Sequence, residues 1–317
     1  GRDIGVDAEG NVYVVAQFAG EIDIDPGPDE YMLSTTRGFQ NDFLLAKYTR
    51  DGALLWGFNI GGDRKFEYVD EFHVDDSGNV YLGGILDDKG DYDLDPGPGE
   101  YVLTNIGNDD AFVAKYSKEG ELVTAFNIGG RSPGEFGFGG DSVFLRGIDV
   151  DIEGNIYIAC EFYGKVDVDP GEGKVEIKTG AESFYENAFI AKYSSDGSLR
   201  WAVPMKSIEQ SVPRAIKVDA DGNVIVTGVF QDAMDFDPSP KEYILEGGDV
   251  GNIFLAKYND TGELKWAFGL DTNATSGAQN RNLAVDSEGN IIVDGNFVDS
   301  VDLDPGLDET VLTTTEN

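Results

Sequence analysis

Apolar and polar residues alternate in short stretches along this chain, and one such stretch returns five times. In its first copy the alternation ends at Val6-Asp7, and a turn closed by Gly10-Asn11 leads into an apolar run that starts at Val12. Glycine at the fourth position of the turn can take positive φ and reverse the chain. We therefore expect a hairpin between two strands, A and B. The turn aspartates of the other copies are Asp75, Asp151, Asp219 and Asp286.

Two further strands follow in each of the first four copies. Strand B is apolar at nearly every position, as in a strand that is buried on both faces. Strand C carries the phrase Phe-x-Ala-Lys-Tyr, one residue longer in the first copy, and ends at Tyr48, Tyr116, Tyr193 and Tyr258. A second turn with glycine leads to strand D, in which one position holds Trp56, Thr124, Trp201 and Trp266. The pattern predicts an antiparallel four-stranded sheet, A-B-C-D, in each repeat.

The repeat length predicts how these sheets are arranged. An acidic motif, described below, recurs every 67 to 74 residues. A sheet of four short strands cannot bury both faces alone, so neighbouring repeats must stack, either radially or in a line. Short strands and this period favour the radial arrangement. We expect an all-β fold, a β-propeller of four-stranded antiparallel blades with four complete repeats and a partial fifth, at about 1–62, 63–130, 131–206, 207–272 and 273–317.

The fifth repeat lacks the strand C phrase and strand D. We expect either that the polypeptide continued and was trimmed, or that another chain completes the sheet, because an unpaired strand edge invites pairing. The sequence begins at Gly1 rather than Met, as in a mature or trimmed product whose targeting signal is not visible. We therefore expect one propeller domain, residues 1–317, within a larger chain. Its expected partners are other protein chains, further repeats or copies of itself as a homo-oligomer.

Charge is the strongest bias in the composition. The 317 residues include 60 acidic and 23 basic ones, for a net charge of -37. Such acidity repels nucleic acid and anionic lipid, and no apolar run approaches the roughly 20 residues of a membrane span. We expect neither nucleic acid binding nor membrane insertion. Solubility or a saline habitat explains the charge as well as a specific requirement for cations does, and both explanations can hold together.

A short acidic motif, Asp-x-Asp-Pro-Gly or Asp-x-Asp-Pro-Ser, follows strand B in every repeat. Its aspartate pairs are Asp23 and Asp25, Asp93 and Asp95, Asp167 and Asp169, Asp235 and Asp237, and Asp302 and Asp304. Along an extended segment the two carboxylates of a pair lie on the same side, roughly 7 Å apart. Because Ca²⁺ binds about six to eight oxygen atoms, these aspartates are candidate calcium ligands.

Arginines occupy a matching register at the start of strand A, five residues before the turn aspartate: Arg2, Arg146, Arg214 and Arg281, with Asp70 in the second repeat. Strand direction puts them at the same end of the sheet as the acidic motifs. We predict either inter-blade clamps between guanidinium groups and motif carboxylates, or turns closed by hydrogen bonds from backbone N–H groups to aspartate. The surplus of aspartates keeps Ca²⁺ open as a cofactor, most of all in the second repeat. No organic cofactor is expected.

The phrases of this repeat resemble a known family. Ile-x-Val-Asp-x-x-Gly-Asn-Val-Tyr-Val-x-Gly, then Asp-Ala-Phe-Val-Ala-Lys-Tyr, Gly-x-Leu and a closing Asn-Ile-Gly-Gly at 59–62 and 127–130, is similar to the bacterial β-propeller repeat called SBBP. The resemblance covers essentially the whole chain. It implies a propeller within large secreted or surface-attached bacterial proteins, without established catalytic residues. The acidic motif departs from the family, in which many members have a Phe-Pro-Thr-like segment.

Three residues or segments stand outside the repeat pattern. His73, the only histidine, is expected in the core or lining a channel, and its isolation excludes histidine-based triads and most zinc sites. Cys160 excludes an internal disulfide and occupies a position of small residues, which predicts a buried, inert thiol. The insertion from Arg131 to Phe144 is a candidate for a unique recognition loop, and equally for a flexible crossing.

Three functions are compatible with these features. The regular repeats and the resemblance favour a non-enzymatic, secreted or cell-surface module for structure or adhesion. A lectin-like propeller would instead bind surface glycans through the stacking groups Tyr31, Tyr101 and Tyr243. A propeller glycosidase or lyase needs carboxyl groups in unlike environments, and the non-repeated candidates are Glu161, Asp141 and Asp294. We predict the first of these functions, no enzyme and no catalytic residues.

Overall fold

The computed structural model describes residues 2–35, 41–61, 68–87, 90–130, 141–179, 185–207, 209–248, 251–270, 279–304, 306 and 310–314. All regular secondary structure in these ranges is β-strand, so the all-β class is confirmed. A search of the same ranges finds no helix with the length and apolarity needed to span a membrane. The chain divides into two compact units, Gly1–Leu145 and Arg146–Asn317.

The first unit contains the first two repeats. The strands of the first repeat are β1 (Asp3–Val6), β2 (Val12–Ala19), β3 (Glu21–Asp23), β4 (Met32–Ser34), β5 (Asn41–Tyr48) and β6 (Leu54–Ile60). Those of the second are β7 (Tyr68–Val74), β8 (Val80–Asp87), β9 (Asp91–Asp93), β10 (Val102–Thr104), β11 (Asp109–Tyr116) and β12 (Leu122–Ile128).

The third repeat begins with β13 (Ser142–Val150), and the second unit contains the rest of the chain. The third repeat continues with β14 (Ile156–Tyr163), β15 (Lys165–Asp167), β16 (Glu176–Lys178), β17 (Asn187–Tyr193) and β18 (Leu199–Ser207). The fourth has β19 (Ser211–Val218), β20 (Val224–Phe230), β21 (Ala233–Asp235), β22 (Ile244–Glu246), β23 (Asn252–Tyr258) and β24 (Leu264–Leu270). The fifth has β25 (Gln279–Val285), β26 (Ile291–Asn296), β27 (Ser300–Asp302) and β28 (Val311–Thr313).

The predicted four-stranded sheets are present in the first four repeats. Strands A, B, C and D pair in the order β1-β2-β5-β6 in the first repeat and β19-β20-β23-β24 in the fourth, and all these pairs are antiparallel. The turn glycine between A and B has the expected positive φ, 81° at Gly10. Its N–H donates to the Asp7 carbonyl at 2.9 Å, which closes the turn.

In all five repeats strand B is followed by a two-stranded hairpin that was not predicted from the sequence. We call these five elements the motif hairpins: β3–β4, β9–β10, β15–β16, β21–β22 and β27–β28. The first aspartate of each acidic motif is the last residue of the first strand, as Asp23 is in β3. Ile24 and Leu33 of the first hairpin pack against Leu44 and Ala46 of strand C in the same repeat. The hairpin therefore folds back onto its own sheet.

Apolar faces of neighbouring sheets pack together within each unit. In the first unit, Tyr13 and Leu45 of the first repeat share a core with Leu82 and Ala114 of the second. In the second unit, strands B, C and D of the third repeat share a core with strands A to D and the motif hairpin of the fourth. Stacking of adjacent repeats is thus present within the units. The closed, radial arrangement and the number of blades stay predictions.

Candidate functional site

The acidic motif builds the turn of its own hairpin. In the second repeat, Asp93 Oδ1 accepts hydrogen bonds from the backbone N–H groups of Asp95 at 3.0 Å and Tyr101 at 2.9 Å, and Asp95 Oδ1 accepts one from Gly97 at 2.8 Å. The same three bonds recur in the other four repeats at 2.7 to 3.3 Å. Hydrogen bonds from backbone to aspartate, one of the alternatives drawn from the sequence, are therefore present in all five copies.

The residue between the two aspartates anchors the hairpin to the sheet. Leu94 is 1% exposed, and its carbonyl accepts a hydrogen bond from the Tyr116 hydroxyl at 2.9 Å. The last residue of strand C donates in the same way from Tyr48, Tyr193 and Tyr258 to Ile24, Val168 and Phe236, at 2.8 to 2.9 Å. The tyrosine of the phrase Phe-x-Ala-Lys-Tyr thus holds the motif hairpin against strand C through one hydrogen bond.

The lysine of the same phrase binds the turn between strands A and B. Asp7 Oδ1 accepts from the N–H groups of Glu9 and Asn11 at 3.0 and 2.9 Å, and Asp7 Oδ2 lies 3.5 Å from Lys47 Nζ. Burial by itself raises the pKa of Asp7, but the hydrogen bonds from Asn11 and Tyr13 and the charge of Lys47 bring that pKa below its ordinary value. Matching ion pairs join Lys192 to Asp151 at 3.8 Å and Lys257 to Asp219 at 2.7 Å.

The predicted arginine register coincides with a β-bulge of strand A in three of the five repeats. Strand pairing skips the residue at this position in three repeats, at Asp70, Arg214 and Arg281. A bulge re-aims the side chain of the unpaired residue. Arg2 Nη2 lies 3.4 Å from Gln17 Oε1, and Arg2 Nη1 lies 3.9 Å from Asp70 Oδ1. Arg146 Nε donates to Glu161 Oε2 at 2.9 Å. The clamp between these arginines and motif aspartates stays a prediction, and the Arg281 side chain lies outside the described part of the chain.

A group of polar side chains at one end of the third and fourth repeats is a candidate site. This Glu161 cluster consists of Arg146, Glu161, Tyr163, Glu186, Gln210 and Arg214. Tyr163 donates its hydroxyl hydrogen to Glu186, which also accepts from Gln210 Nε2 at 2.8 Å. Glu161 is 6% exposed. Its burial raises the pKa of the carboxyl, and the Arg146 guanidinium opposes that rise.

Sequence reasoning named three members of this cluster and missed Tyr163, Glu186 and Gln210. Their signal in the sequence is a break in the repeat: the position of Glu161 holds Gln17, Ile85, Val229 and Asn296 in the other copies. Guanidinium, carboxylate, amide and hydroxyl groups together offer both donors and acceptors to a polar ligand. At the position of Glu161 the cluster therefore departs from the repeated pattern.

Cation binding has no assembled site in the ranges that the structure describes. No group of three or more His, Cys, Asp or Glu side chains there is placed to hold a metal ion. Because Oδ1 of every motif aspartate accepts backbone hydrogen bonds, a cation at the motifs would depend on the second carboxylate oxygen. A cavity of about 440 Å³ lies between the third and fourth repeats. Its lining includes the acidic residues Asp151, Glu153, Asp219, Asp221 and Asp260, together with Lys192. Calcium binding stays a prediction.

The other residues singled out from the sequence are dispersed. Cys160 is buried, as predicted. The hydroxyls of Tyr101 and Tyr243 donate to strand D carbonyls of their own repeats at 2.7 and 3.0 Å, which holds both rings against the sheet. Asp141 is buried, and Asp294 accepts hydrogen bonds from Asn282 on the neighbouring strand. Residues 131–140 of the predicted recognition loop lie outside the described residues.

The similarities to known proteins described here are weak. No protein-family model matches the chain. Over 124 residues, 38% of its length, the chain is 29% identical to an uncharacterised WD repeat-containing protein of Acanthamoeba polyphaga mimivirus, and it spans 8% of that relative. The extracellular domain of a hybrid two-component system from B. thetaiotaomicron matches 98% of this chain and 54% of its own, with 10% identity and a TM-score of 0.19, too low to carry an argument. The WD similarity supports a β-rich repeat fold, and membership of the SBBP family stays a prediction.

Proposed function

We propose that this chain is a non-enzymatic structural or adhesive module of an extracellular or cell-surface protein, folded as a β-propeller and stabilised by calcium. The observation that supports it best is the use of the repeated acids. In all five motifs Oδ1 accepts the same backbone hydrogen bonds. Catalytic carboxyl groups need unlike environments, whereas these environments are alike. The repeated chemistry therefore serves architecture, as in a scaffold.

Further contacts support a stiff module within each unit. Trp56 Nε1 donates to the Lys118 carbonyl of the next repeat at 3.0 Å, and Trp201 Nε1 donates to the Asp260 carbonyl at 2.9 Å. Val218 N–H and Lys217 Nζ bind Asp149 of the preceding repeat at 2.8 and 3.0 Å. Such bonds resist shear between sheets, a property that an adhesive or load-bearing module requires.

Adhesion is tested with beads coated with the full chain, in laminar flow over glass that carries mucin, collagen or albumin. We expect more beads to stay on mucin or collagen than on albumin at equal wall shear. Equal retention on all three surfaces contradicts the adhesive role. Turnover of a panel of chromogenic glycosides, or release of unsaturated uronic acids from polysaccharides, contradicts the non-enzymatic one.

The Glu161 cluster favours one alternative, carbohydrate binding, because its amide, carboxylate and guanidinium groups suit sugar hydroxyls. A glycan array tests it with the unmodified chain and two variants. Glu161→Gln should weaken the binding of any glycan that the unmodified chain binds. Glu172→Gln, at an exposed position, should leave that binding unchanged. An array without any bound glycan removes this alternative and leaves the scaffold.

A further inference from the structure

The third repeat contains a cavity of about 380 Å³, which lies within the second unit. We call it the third-repeat cavity. Its lining includes the buried residues Phe162, Thr179, Asn187, Met205 and Ser207, the half-buried Pro204, and two exposed lysines at the mouth, Lys178 and Lys206. Pockets that bind small molecules have volumes of about 300 to 1,000 Å³ and combine apolar walls with a few polar groups. The third-repeat cavity has this size and this mixed lining.

In the first two repeats an asparagine amide occupies the place that Pro204 holds in the third. Asn127 and Pro204 both pair with the phenylalanine of the strand C phrase in their own repeat. Asn127 Nδ2 donates to the Thr104 carbonyl of the motif hairpin at 3.0 Å and to Asp110 Oδ2 of strand C at 2.7 Å. The matching bonds of the first repeat join Asn59 to Ser34 and Asp42 at 3.3 and 2.9 Å. One amide thus bridges the motif hairpin and strand C in each of these repeats.

The third repeat keeps the two acceptors of this bridge without its donor. The side chain of Pro204 has no N–H group. The Lys178 carbonyl matches that of Thr104, and no side chain among the described residues donates to it. Asn187 matches Asp110 and is 3% exposed, and its Oδ1 accepts from the Ser207 N–H at a long 3.3 Å. Because buried polar groups are normally hydrogen-bonded, the cavity offers acceptors that suit an amide from outside the chain.

The fourth repeat fills the same place with an aromatic ring. Phe230 lies against Gly247 and Gly269, where an added Cβ would be 3.0 and 3.8 Å from atoms of the ring. These two glycines stand at the positions of Thr179 and Pro204 in the third repeat. A ring placed in the same way in the third repeat would be too close to the Cβ of Thr179. The third repeat therefore has neither the bridging amide nor this ring, and the cavity is what distinguishes it.

Two lysines at the mouth of the cavity are also particular to the third repeat. The matching residues of the other repeats are Ser34, Thr104, Glu246 and Thr313 for Lys178, and Gly61, Gly129 and Asp271 for Lys206. The Lys206 side chain is 62% exposed, and its Nζ lies 4.0 Å from Asp235 Oδ2. In a chain with a net charge of -37, two lysines at one opening favour a ligand with an anionic group.

We propose that the third-repeat cavity binds a small carboxylic acid that also carries a primary carboxamide, of the type of free glutamine or asparagine. The carboxamide N–H₂ group has two donors, one for the Lys178 carbonyl and one for Asn187 Oδ1, as the Asn127 amide has in the second repeat. The apolar side chains of the lining contact the methylene groups of the ligand. Its carboxylate lies at the mouth, where charge-assisted hydrogen bonds from lysine are strong. The inference is independent of the adhesive function.

Isothermal titration calorimetry of the full chain with L-glutamine, L-asparagine, L-glutamate and L-aspartate tests the ligand class. We expect saturable binding of at least one of the two carboxamides. The matching acid should bind at least about tenfold more weakly, because a carboxylate has no N–H group and leaves both acceptors unpaired. Saturation-transfer difference NMR with the same four compounds gives a second measurement that does not depend on the heat of binding.

Pro204→Asn tests the place of the carboxamide, because it restores the residue that the first two repeats have there. The new amide should bridge the motif hairpin and strand C from within the chain and abolish binding of the ligand. A thermal midpoint at or above that of the unmodified chain would show that this variant folds. Gly269→Asn makes the matching substitution in the fourth repeat and should leave binding unchanged.

Lys206→Gln tests the mouth at an exposed side chain, where the substitution does not endanger folding. It should weaken binding about threefold or more. Lys174→Gln, at a side chain that is 60% exposed and outside the described lining, should leave binding unchanged. The proposal is overturned if neither carboxamide binds in either measurement, if each acid binds as well as its carboxamide, or if binding persists in Pro204→Asn. Binding that is equal in Lys206→Gln and the unmodified chain contradicts the proposed orientation of the ligand.

Discussion

Tyr116 shows how one hydroxyl group stabilises a repeat. The side chain is fully buried, and burial raises the pKa of its hydroxyl far above the ordinary value, so the group stays protonated as a donor. The acceptor is the backbone carbonyl of Leu94, and Leu94 is also buried. Removing the donor would leave this carbonyl unsatisfied, at a cost of about 1 to 3 kcal/mol.

We therefore predict that Tyr116→Phe lowers the free energy of unfolding by about 1 to 3 kcal/mol. Tyr31→Phe is the matched control, because Tyr31 is 45% exposed and its hydroxyl has no hydrogen bond within the described ranges. Urea unfolding followed by near-ultraviolet circular dichroism measures both variants. Equal losses of unfolding free energy in the two variants would contradict a stabilising role of the Tyr116 hydroxyl.

Asp110 makes the stability of the folded chain depend on pH. It is fully buried and accepts hydrogen bonds from the N–H groups of Ile106 and Gly107 and from the side chain of Asn127. Burial raises its pKa from 3.8 to about 6, so the folded chain holds the proton at pH values where the unfolded chain has lost it. The protonated Asp110 carboxyl stabilises the folded chain fully below pH 3.8, and this stabilisation is lost as pH rises through about 6.

Asp110→Asn removes this titration, and asparagine is the residue at the matching positions of the third and fourth repeats, Asn187 and Asn252. Exchanged hydrogen bonds add an offset that does not vary with pH. We expect the stability of the variant relative to the unmodified chain to increase by about 2 to 3 kcal/mol between about pH 4 and pH 7. Paired urea curves across this range measure the difference. A constant difference contradicts the raised pKa.

At the scale of elements, the motif hairpin depends on its first aspartate more than on its second. Asp93 accepts two backbone hydrogen bonds, one from a residue eight positions ahead, whereas Asp95 closes only a local turn. Asp93→Ala should therefore speed hydrogen exchange at the Tyr101 amide by about tenfold or more, equivalent to roughly 1.4 kcal/mol. Asp93→Asn keeps an acceptor oxygen and should change the exchange little. If Asn and Ala have equal effects, the charge of Asp93 rather than its acceptor atom supports the hairpin.

Local patterns explain which elements were predictable. The turn Asp-x-x-Gly-Asn and the strand C phrase specify their strands within a few residues, and the sheets they predict are present. The motif hairpin escaped because strands as short as Met32–Ser34 cannot show alternation. Its register depends on the bond from Tyr31 to Asp23, which the sequence records only as a repeated spacing. The partner of Arg146 escaped too, because its nearest acid lies on strand B rather than in a motif.

At the scale of the whole molecule, a net charge of -37 opposes compaction, because like charges repel more strongly in the folded chain than in the unfolded one. Buried or half-buried ion pairs such as Lys257–Asp219 offset this locally. The remaining repulsion is screened by any salt, since the Debye length falls from about 30 Å at 0.01 M to about 8 Å at 0.15 M. A rise in thermal midpoint with NaCl is therefore expected from charge alone.

Calcium stabilisation predicts an additional effect that screening does not produce. At equal ionic strength, CaCl₂ should give a higher thermal midpoint than NaCl or MgCl₂, because Ca²⁺ accepts irregular sets of carboxylate and carbonyl oxygens whereas Mg²⁺ demands octahedral geometry. Addition of EDTA should return the midpoint to its NaCl value. Differential scanning calorimetry of the full chain in the three salts measures these midpoints. Equal midpoints would attribute the effect to screening and remove calcium from the proposed function, while the backbone hydrogen bonds of the acidic motifs would keep their structural role.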